Sequence, residues 1–309
     1  MSPFSRNHAE TVAALGEEKL LTAIQRWLGP VSPRRPFGIG DDCAVLAGTP
    51  RRQLLTVDPV VYGRHFDDAV PARAVGAKLL KRNLSDLAAM GGRPTAAVLA
   101  LSLDARTSLR WLEEFYRGLA ATARKHRVAI VGGDVVQAES GLAATLTLLG
   151  EATGPRILTR RGARIGDHIC VTGTLGGSLQ SGHHYRFTPR LAEGAWLARR
   201  REVRAMMDVS DGLAKDLHAL TPPAARPSIP AAAVPRRRGC PIEAALTDGE
   251  DYELLFVLGR ETDPKIFARK WRQAFPRTPL TCLGRFVPAT RADPDALDFQ
   301  RYHGYEHLR

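Results

Sequence analysis

Acidic residues recur in this chain at the ends of short apolar stretches and beside glycines. That pattern restricts it to folds in which strand ends and glycine turns meet at one edge of a sheet. Asp41-Asp42 close Gly38-Ile39-Gly40-Asp41-Asp42, and Asp58 follows Leu54-Leu55-Thr56-Val57. Asp86 lies in Asn83-Leu84-Ser85-Asp86-Leu87, and Asp134 ends Val131-Gly132-Gly133-Asp134. Asp208 and Asp211 share Met207-Asp208-Val209-Ser210-Asp211-Gly212, and Glu250-Asp251 follow Gly249. Singly, each has an ordinary reading: a turn residue, a helix-surface partner of Arg82 for Asp86, or a helix cap for Asp211. Together they demand more. Carboxylates brought within a few ångströms repel by roughly 1–4 kcal/mol per close pair, so such a cluster persists only with cations. Oxygen ligands without accompanying His or Cys favour Mg²⁺, usually shared with nucleotide phosphates.

Hydrophobic periodicity places elements around these residues. Helices are expected over 17–28, from Pro71 through Met90 with a stop at Gly91-Gly92, and from Leu109 to near His126. Strands are expected over Cys43 to Ala47, Leu54 to Val57, Thr95 to Leu103, Val128 to Val131 and Gly141 to Gly150. The second half restarts with a strand at His168 to Thr172, a glycine turn and a helix, then a helical segment over Leu191 to Arg204. Residues 221–241 carry six prolines and are expected to form loop and edge strand. Tyr252 to Leu258 and Leu280 to Val287 are expected as strands, with a helix around Pro264 to Phe275 between them. This alternation predicts an α/β (α+β) protein. At 309 residues two domains are expected, over 16–153 and 154–309, behind a frayed tail at 1–15.

The formal charge is +12, so the acidic motifs run against the background. Arg199-Arg200-Arg201, Arg236-Arg237-Arg238 and Arg34-Arg35 are too short and too poor in aromatics to mark a nucleic-acid surface. A solvated surface whose field favours anionic small molecules is the better reading. Cys43, Cys170, Cys240 and Cys282 are widely spaced, without a Cys-x-x-Cys pair, which argues against a zinc site or a disulfide framework. No apolar run approaches the roughly 18 residues of a membrane span, and Met1 to Thr11 lacks a signal-peptide stretch. A cytoplasmic location and no membrane partner are expected.

Walker A, protein-kinase and Rossmann motifs are absent. Gly173-Thr174-Leu175-Gly176-Gly177 imitates a dinucleotide loop only loosely and is expected to be structural, although glycine backbones can approach phosphate closely.

Read in order, the blocks GIGDDCAVL at 38–46, NLSDLAAMG at 83–91, GGD at 132–134, LTRRGARIGD at 158–167, DVSDGLAKDL at 208–217 and GEDYELLF at 249–256 resemble the thiamine-monophosphate kinase family. Its superfamily also contains aminoimidazole ribonucleotide synthetase, selenophosphate synthetase and a hydrogenase-maturation protein. The resemblance runs from Leu15-Gly16-Glu17 to Gly304-Tyr305. It implies a two-domain fold like aminoimidazole ribonucleotide synthetase, with an N-terminal domain that binds ATP and metal and pairs with its copy in a homodimer. It implies ATP as co-substrate, several Mg²⁺ ions in a groove between domains, and thiamine monophosphate as acceptor. By position, Asp42, Thr56, Asp58, Asp86, Asp134, Asp208 and Asp211 would contact metal. Gly133, Asp134, Arg160 and Ser210 would contact ATP, and His65, Glu250 and Tyr305 the thiamine substrate. On packing grounds alone, His65 is an ordinary strand-end histidine and Tyr305 an anchor for the C-terminus.

The chain departs from the family pattern in places. Val57 stands where a threonine usually precedes the aspartate. Val135-Val136-Gln137-Ala138 replaces Thr-Thr-Arg-Gly, and Asp248 replaces a glycine. The implied reaction needs no catalytic acid or base, because the acceptor phosphate is already anionic; metals and cations offset the charge repulsion. Selenophosphate synthetase chemistry would need a reactive cysteine near the N-terminus, and hydrogenase maturation a C-terminal cysteine. Here the first cysteine is Cys43 and the chain ends His307-Leu308-Arg309. A related enzyme with another phosphorylated acceptor, or a non-catalytic nucleotide-binding protein, is the alternative.

Overall fold

The computed structural model describes residues 2–34, 37–39, 44, 46–291 and 293–305. They form two compact units, Met1–Leu87 with Arg93–Glu151, and Ala88–Gly92 with Ala152–Arg309.

The first unit contains α1 (Val12–Leu15), α2 (Glu17–Leu28), β1 (Gln53–Val61), α3 (Ala72–Ala89), β2 (Gly92–Asp104), α4 (Leu109–His126), β3 (Ala129–Ala138) and β4 (Leu142–Ala152). Its four strands lie in the order β1-β4-β2-β3, with β1 antiparallel to β4 and β2 parallel to β3. α3 and α4 cover one face and touch through glycines. A Cβ at Gly76 would overlap the Phe115 carbonyl, and one at Gly118 the Arg73 carbonyl, so only glycine permits this approach. α4 turns Trp111, Leu112, Phe115, Tyr116 and Leu119 inward at helical spacing. It ends on Arg127 in the left-handed region, with His126 and Lys125 in its last turn.

The other sheet face is open. Along β1, Leu54 and Val60 are buried on the helix side, whereas Leu55 is 71% and Val57 57% exposed. Thr56 and Asp58 share the helix side and bond to α3. Residues 3–12, expected as a frayed tail, are tied to the turn before α4. Ser108 N–H donates to Pro3 O, Ser5 N–H to Arg106 O and Val12 N–H to Thr107 O, and the Phe4 ring meets Tyr62 edge-on. The expected strand over 43–47 falls partly outside the described residues, and Ala44, Leu46 and Ala47 form no strand.

The second unit contains β5 (His168–Thr172), α5 (His183–Arg186), α6 (Leu191–Ala198), β6 (Val203–Asp208), α7 (Leu213–Leu220), β7 (Ala225–Ser228), α8 (Ile242–Thr247), β8 (Leu254–Leu258), α9 (Pro264–Ala274) and β9 (Leu280–Pro288). Its antiparallel sheet runs β6-β8-β5-β9-β7, with the proline-rich β7 at an edge. One face packs with α7 and α8 around Ile169, Val171, Leu213 and Phe286; the other packs with α6 and α9 around Cys170, Phe256, Phe267 and Trp271.

The helix expected over Leu191 to Arg204 is a correction. It stops at Ala198, and Val203–Asp208 forms β6 on the sheet. The apolar residues of Leu191–Ala198 continue into Val203, Ala205, Met206 and Met207 and mask the change, which comes at Arg199–Arg201, where the chain turns. No described helix is long and apolar enough to cross a membrane.

Candidate functional site

In the first unit, β1 and α3 bring three of the predicted residues together. Thr56 Oγ1 donates to Asp86 Oδ2 at 2.5 Å. Two residues along the same face of β1, Asp58 Oδ1 receives Arg82 Nη2 at 3.1 Å, while Arg82 Nη1 donates to Pro59 O at 2.8 Å. Arg82, read from spacing as a helix-surface partner of Asp86, reaches across to β1. Arg82 is 8% exposed, so it desolvates as it binds and fixes the strand against α3.

Strand alternation also relocates Val57. It lies on the open face, away from Thr56 and Asp58, so the missing hydroxyl is lost from a different side of the sheet. Further along, Val61 N–H donates to His65 Nδ1 at 3.1 Å, which leaves the ring proton on Nε2. The buried Lys78 Nζ donates to His65 O at 2.7 Å and holds this turn.

Asp134 is not brought to Asp58 and Asp86. It pairs with Ala100 in the row that includes Val98, opposite in sense to the buried Leu99 and Leu101. β3 and β1 are the two edges of the sheet, separated by three strand spacings, about 14 Å. Gly133 lies against β2 so closely that a Cβ would overlap the Leu99 carbonyl. Asp41 and Asp42 lie outside the described residues. Among the described residues no three His, Cys, Asp or Glu side chains gather at metal-binding range.

In the second unit, five predicted residues converge on the turn between β6 and α7. Asp208 ends β6 and is buried. The Ser210 and Asp211 N–H groups both donate to Asp216 Oδ2, each at 3.0 Å. Burial pushes the Asp216 carboxyl up to about 7, against the pull of those two bonds. Gly212, not Asp211, occupies the N-cap of α7. Asp211 instead pairs with Lys215 Nζ at 2.7 Å, and the same ammonium donates to Tyr305 O at 2.6 Å. Tyr305 N–H returns to Asp211 O at 2.9 Å, so the residues following the short 3-10 helix Phe299–Arg301 are clasped onto this turn.

Glu250 reaches the same place through the backbone: its N–H donates to Ser210 O at 2.7 Å, and Tyr252 N–H to Val209 O at 2.7 Å. Glu250 and Tyr252 have φ of 66° and 53°, a left-handed conformation that costs a non-glycine residue about 1–3 kcal/mol. Around them, Tyr252 stacks on Phe187 at 4.0 Å and His183 Nε2 meets Asp251 O at 2.9 Å. Arg160 sits on the segment beside β6, where Met206 N–H donates to Thr159 O, and its charge acts on Asp216.

The glycine turn after β5 spends its amides on protein. Gly176 N–H donates to Asp251 Oδ2 and Gly177 N–H to Asp248 Oδ2, both at 2.8 Å, which is the structural role expected of it. Asp248, a departure from the family pattern, thus has a partner of its own. Asp251 also receives Arg237 Nη1 at 3.1 Å. Its burial, the largest influence, raises the carboxyl to about 7. Sequence reasoning missed Lys78 and Asp216, and it named Arg82 and Arg237 without the partners, Asp58 and Asp251, that the fold gives them. Lys215 was within reach, because it stands four residues after Asp211 on α7.

Residues 40–153 match the model of the AIR synthase related protein N-terminal domain. Thiamine-monophosphate kinase of Rhodopirellula baltica is 34% identical over 280 residues, covering 84% of this chain and 85% of its own. The crystal structure of thiamine-monophosphate kinase from Stenotrophomonas maltophilia superposes with a TM-score of 0.70 at 29% identity, over 92% of this chain and 95% of that one. AaThiL complexed with AMPPCP and TMP gives 0.66 at 28% identity, over 92% and 96%. With the motif residues gathered at the β6–α7 turn and on β1 and α3, and with relatives matched over most of their length, the chain is an enzyme of the thiamine-monophosphate kinase family.

Proposed function

We propose that this chain transfers the γ-phosphoryl group of ATP to the phosphate of thiamine monophosphate, giving thiamine diphosphate and ADP. The observation that supports this reading most is the convergence of Asp208, Ser210, Asp211, Glu250 and Tyr305 on one turn of the second unit. An acceptor phosphate oxygen, anionic at neutral pH, attacks the γ-phosphorus in line as the bond to the β-phosphate bridging oxygen breaks. No general base is required, and the barrier is charge repulsion. Arg160 and the Ser210 turn would face the nucleotide phosphates. Glu250 offers a carboxylate to an aminopyrimidine, Tyr305 a ring to a cationic thiazolium, and His65 an Nε2–H.

Each unit by itself carries oxygen-only donors of the kind Mg²⁺ takes: Thr56, Asp58 and Asp86 in the first, where Thr56 Oγ1 donates to Asp86 Oδ2, and Asp208 and Asp211 in the second. Arg82 holds Asp58 and Lys215 holds Asp211, so Mg²⁺ binding there would exchange with these side-chain cations. Asp42, outside the described residues, and Asp134, on the far edge strand and the opposite face, are proposed as contacts of further Mg²⁺ ions by their place in the family motifs alone. When bound, Mg²⁺ supplies Lewis-acid stabilisation of the phosphates. Gly133 would contribute to nucleotide binding through its bare backbone.

The proposed assembly is a homodimer, favoured by the row of exposed apolar residues Leu55, Val57, Val98 and Val136 on the open sheet face. The cytoplasm is the proposed compartment.

The decisive experiment incubates purified protein with ATP, Mg²⁺ and thiamine monophosphate and separates the products by chromatography. Thiamine diphosphate and ADP should appear in equal amounts. Phosphorylation of a different acceptor, with none of thiamine monophosphate, would overturn the substrate and leave the kinase reading. Binding of ATP without turnover on any acceptor would overturn the kinase reading itself.

A further inference from the structure

Two cysteines of the second unit face each other across its sheet. Cys170 on β5 and Cys282 on β9 are direct partners in the antiparallel ladder, next to an irregularity that lets β9 pass an extra residue. The residue accommodated there is Leu283, which is buried in the core of Ile169 and Val171. Cys170 belongs to the opposite core, with Phe256 and Trp271, and Leu280 of β9 packs on that side as well. Cys282 therefore stands on the same side as Cys170. The Cys282 thiol donates to Gly284 O at 3.9 Å, beside the point where the ladder sets it opposite Cys170.

Directly opposed residues of an antiparallel pair have Cα atoms about 4.5–5.5 Å apart, inside the span of about 4.4–6.8 Å that a disulfide bridges. Access is asymmetric. Cys282 is exposed and Cys170 fully buried. The hydrogen bond from Cys170 brings the Cys282 thiol down to about 7, while that bond and burial raise Cys170 well above its ordinary value. An accessible thiolate backed by a buried thiol is the arrangement of an attacking and a resolving cysteine.

We propose that Cys282 and Cys170 form a thiol modification site that takes a low-molecular-weight disulfide such as oxidised glutathione and closes to an intramolecular disulfide. Cys282 Sγ attacks one sulfur of the reagent, forming a mixed disulfide and releasing one thiol. Cys170 Sγ then attacks Cys282 Sγ, and the departing thiolate takes the proton that Cys170 loses. Two protein thiols are oxidised, one reagent disulfide is reduced to two thiols, and nothing else is consumed.

The test treats the native full-length protein with oxidised glutathione, blocks remaining thiols, and maps tryptic peptides by mass spectrometry. The expected product joins peptide 165–186 to peptide 278–285, with no glutathione retained on either. Cys170→Ala should stop at Cys282 carrying one glutathione, and Cys282→Ala should leave Cys170 unreacted until the protein is denatured. The proposal is overturned if the wild-type protein keeps glutathione on Cys282 without closing, or if Cys282 stays reduced while the denatured chain reacts.

Discussion

Asp86 and Glu250 carry charge for different purposes, and their substitutions separate the two. Asp86 accepts from Thr56 on β1 and belongs to the proposed metal set. Asp86→Asn keeps the shape and removes the charge, so phosphoryl transfer should fall by about 100-fold or more, as a loss of several kcal/mol of charge stabilisation implies. Circular dichroism should remain that of the wild type; unchanged turnover would remove Asp86 from the metal set. Glu250 is assigned to the acceptor. Glu250→Ala should raise KM for thiamine monophosphate about tenfold or more while KM for ATP stays put, the signature of lost uniform binding. An equal rise in both constants would contradict that assignment. The residue identities at these positions were legible because short motifs keep acidic groups beside glycines and strand ends. Their partners were not. Arg82 reads as a helical neighbour of Asp86 four positions away, and no local pattern encodes the bond that it makes to Asp58 on β1.

At the scale of elements, the segment Asp248–Glu253 is held by carboxylates rather than by a regular ladder. Asp251 bonds Gly176 N–H and Arg237 from a buried position, and burial lifts its carboxyl to about 7. A carboxyl whose folded value exceeds its unfolded value of about 3.9 favours the folded state most at low pH. That contribution disappears as pH rises through 7. Melting curves of wild type and Asp251→Asn, taken between pH 5.5 and 8, should therefore show the wild type losing stability relative to the variant as pH rises. Parallel curves would mean that Asp251 is ionised throughout. Helices α2, α4 and α9, with clean 3.6-residue periodicity, and α3, bounded by Pro71 and Gly91-Gly92, were legible to within a residue or two. β6 was not. Its Val203, Ala205, Met206 and Met207 continue the apolar character of α6, and both of its faces are buried, so the two-residue alternation that marks a strand is missing.

For the whole molecule, the open face of the first sheet sets the expectation of a second copy. Four apolar side chains from β1, β2 and β3 are exposed on it, and a water-facing sheet would carry polar residues there. Light scattering of the wild-type protein at micromolar concentration should give a dimeric mass. The double variant Leu55→Asp, Val57→Asp should give a monomer with its circular dichroism spectrum intact. A wild-type monomer would contradict the homodimer, and a dimeric double variant would move the interface elsewhere.

β1 also limits how relatives of this chain can diverge. Its nine residues spell two messages in alternate letters: Thr56 and Asp58 on one side, Leu55 and Val57 on the other. Losing or gaining a single residue between Gln53 and Thr56 would exchange the letters, turning acid toward the open surface and leucine toward α3. Point changes can alter one message at a time, but changes of length must rewrite both together. Within this lineage the strand should tolerate substitution and resist insertion, and the turn before it is held as well, by Thr49 Oγ1 donating to Glu151 on β4 at 2.6 Å.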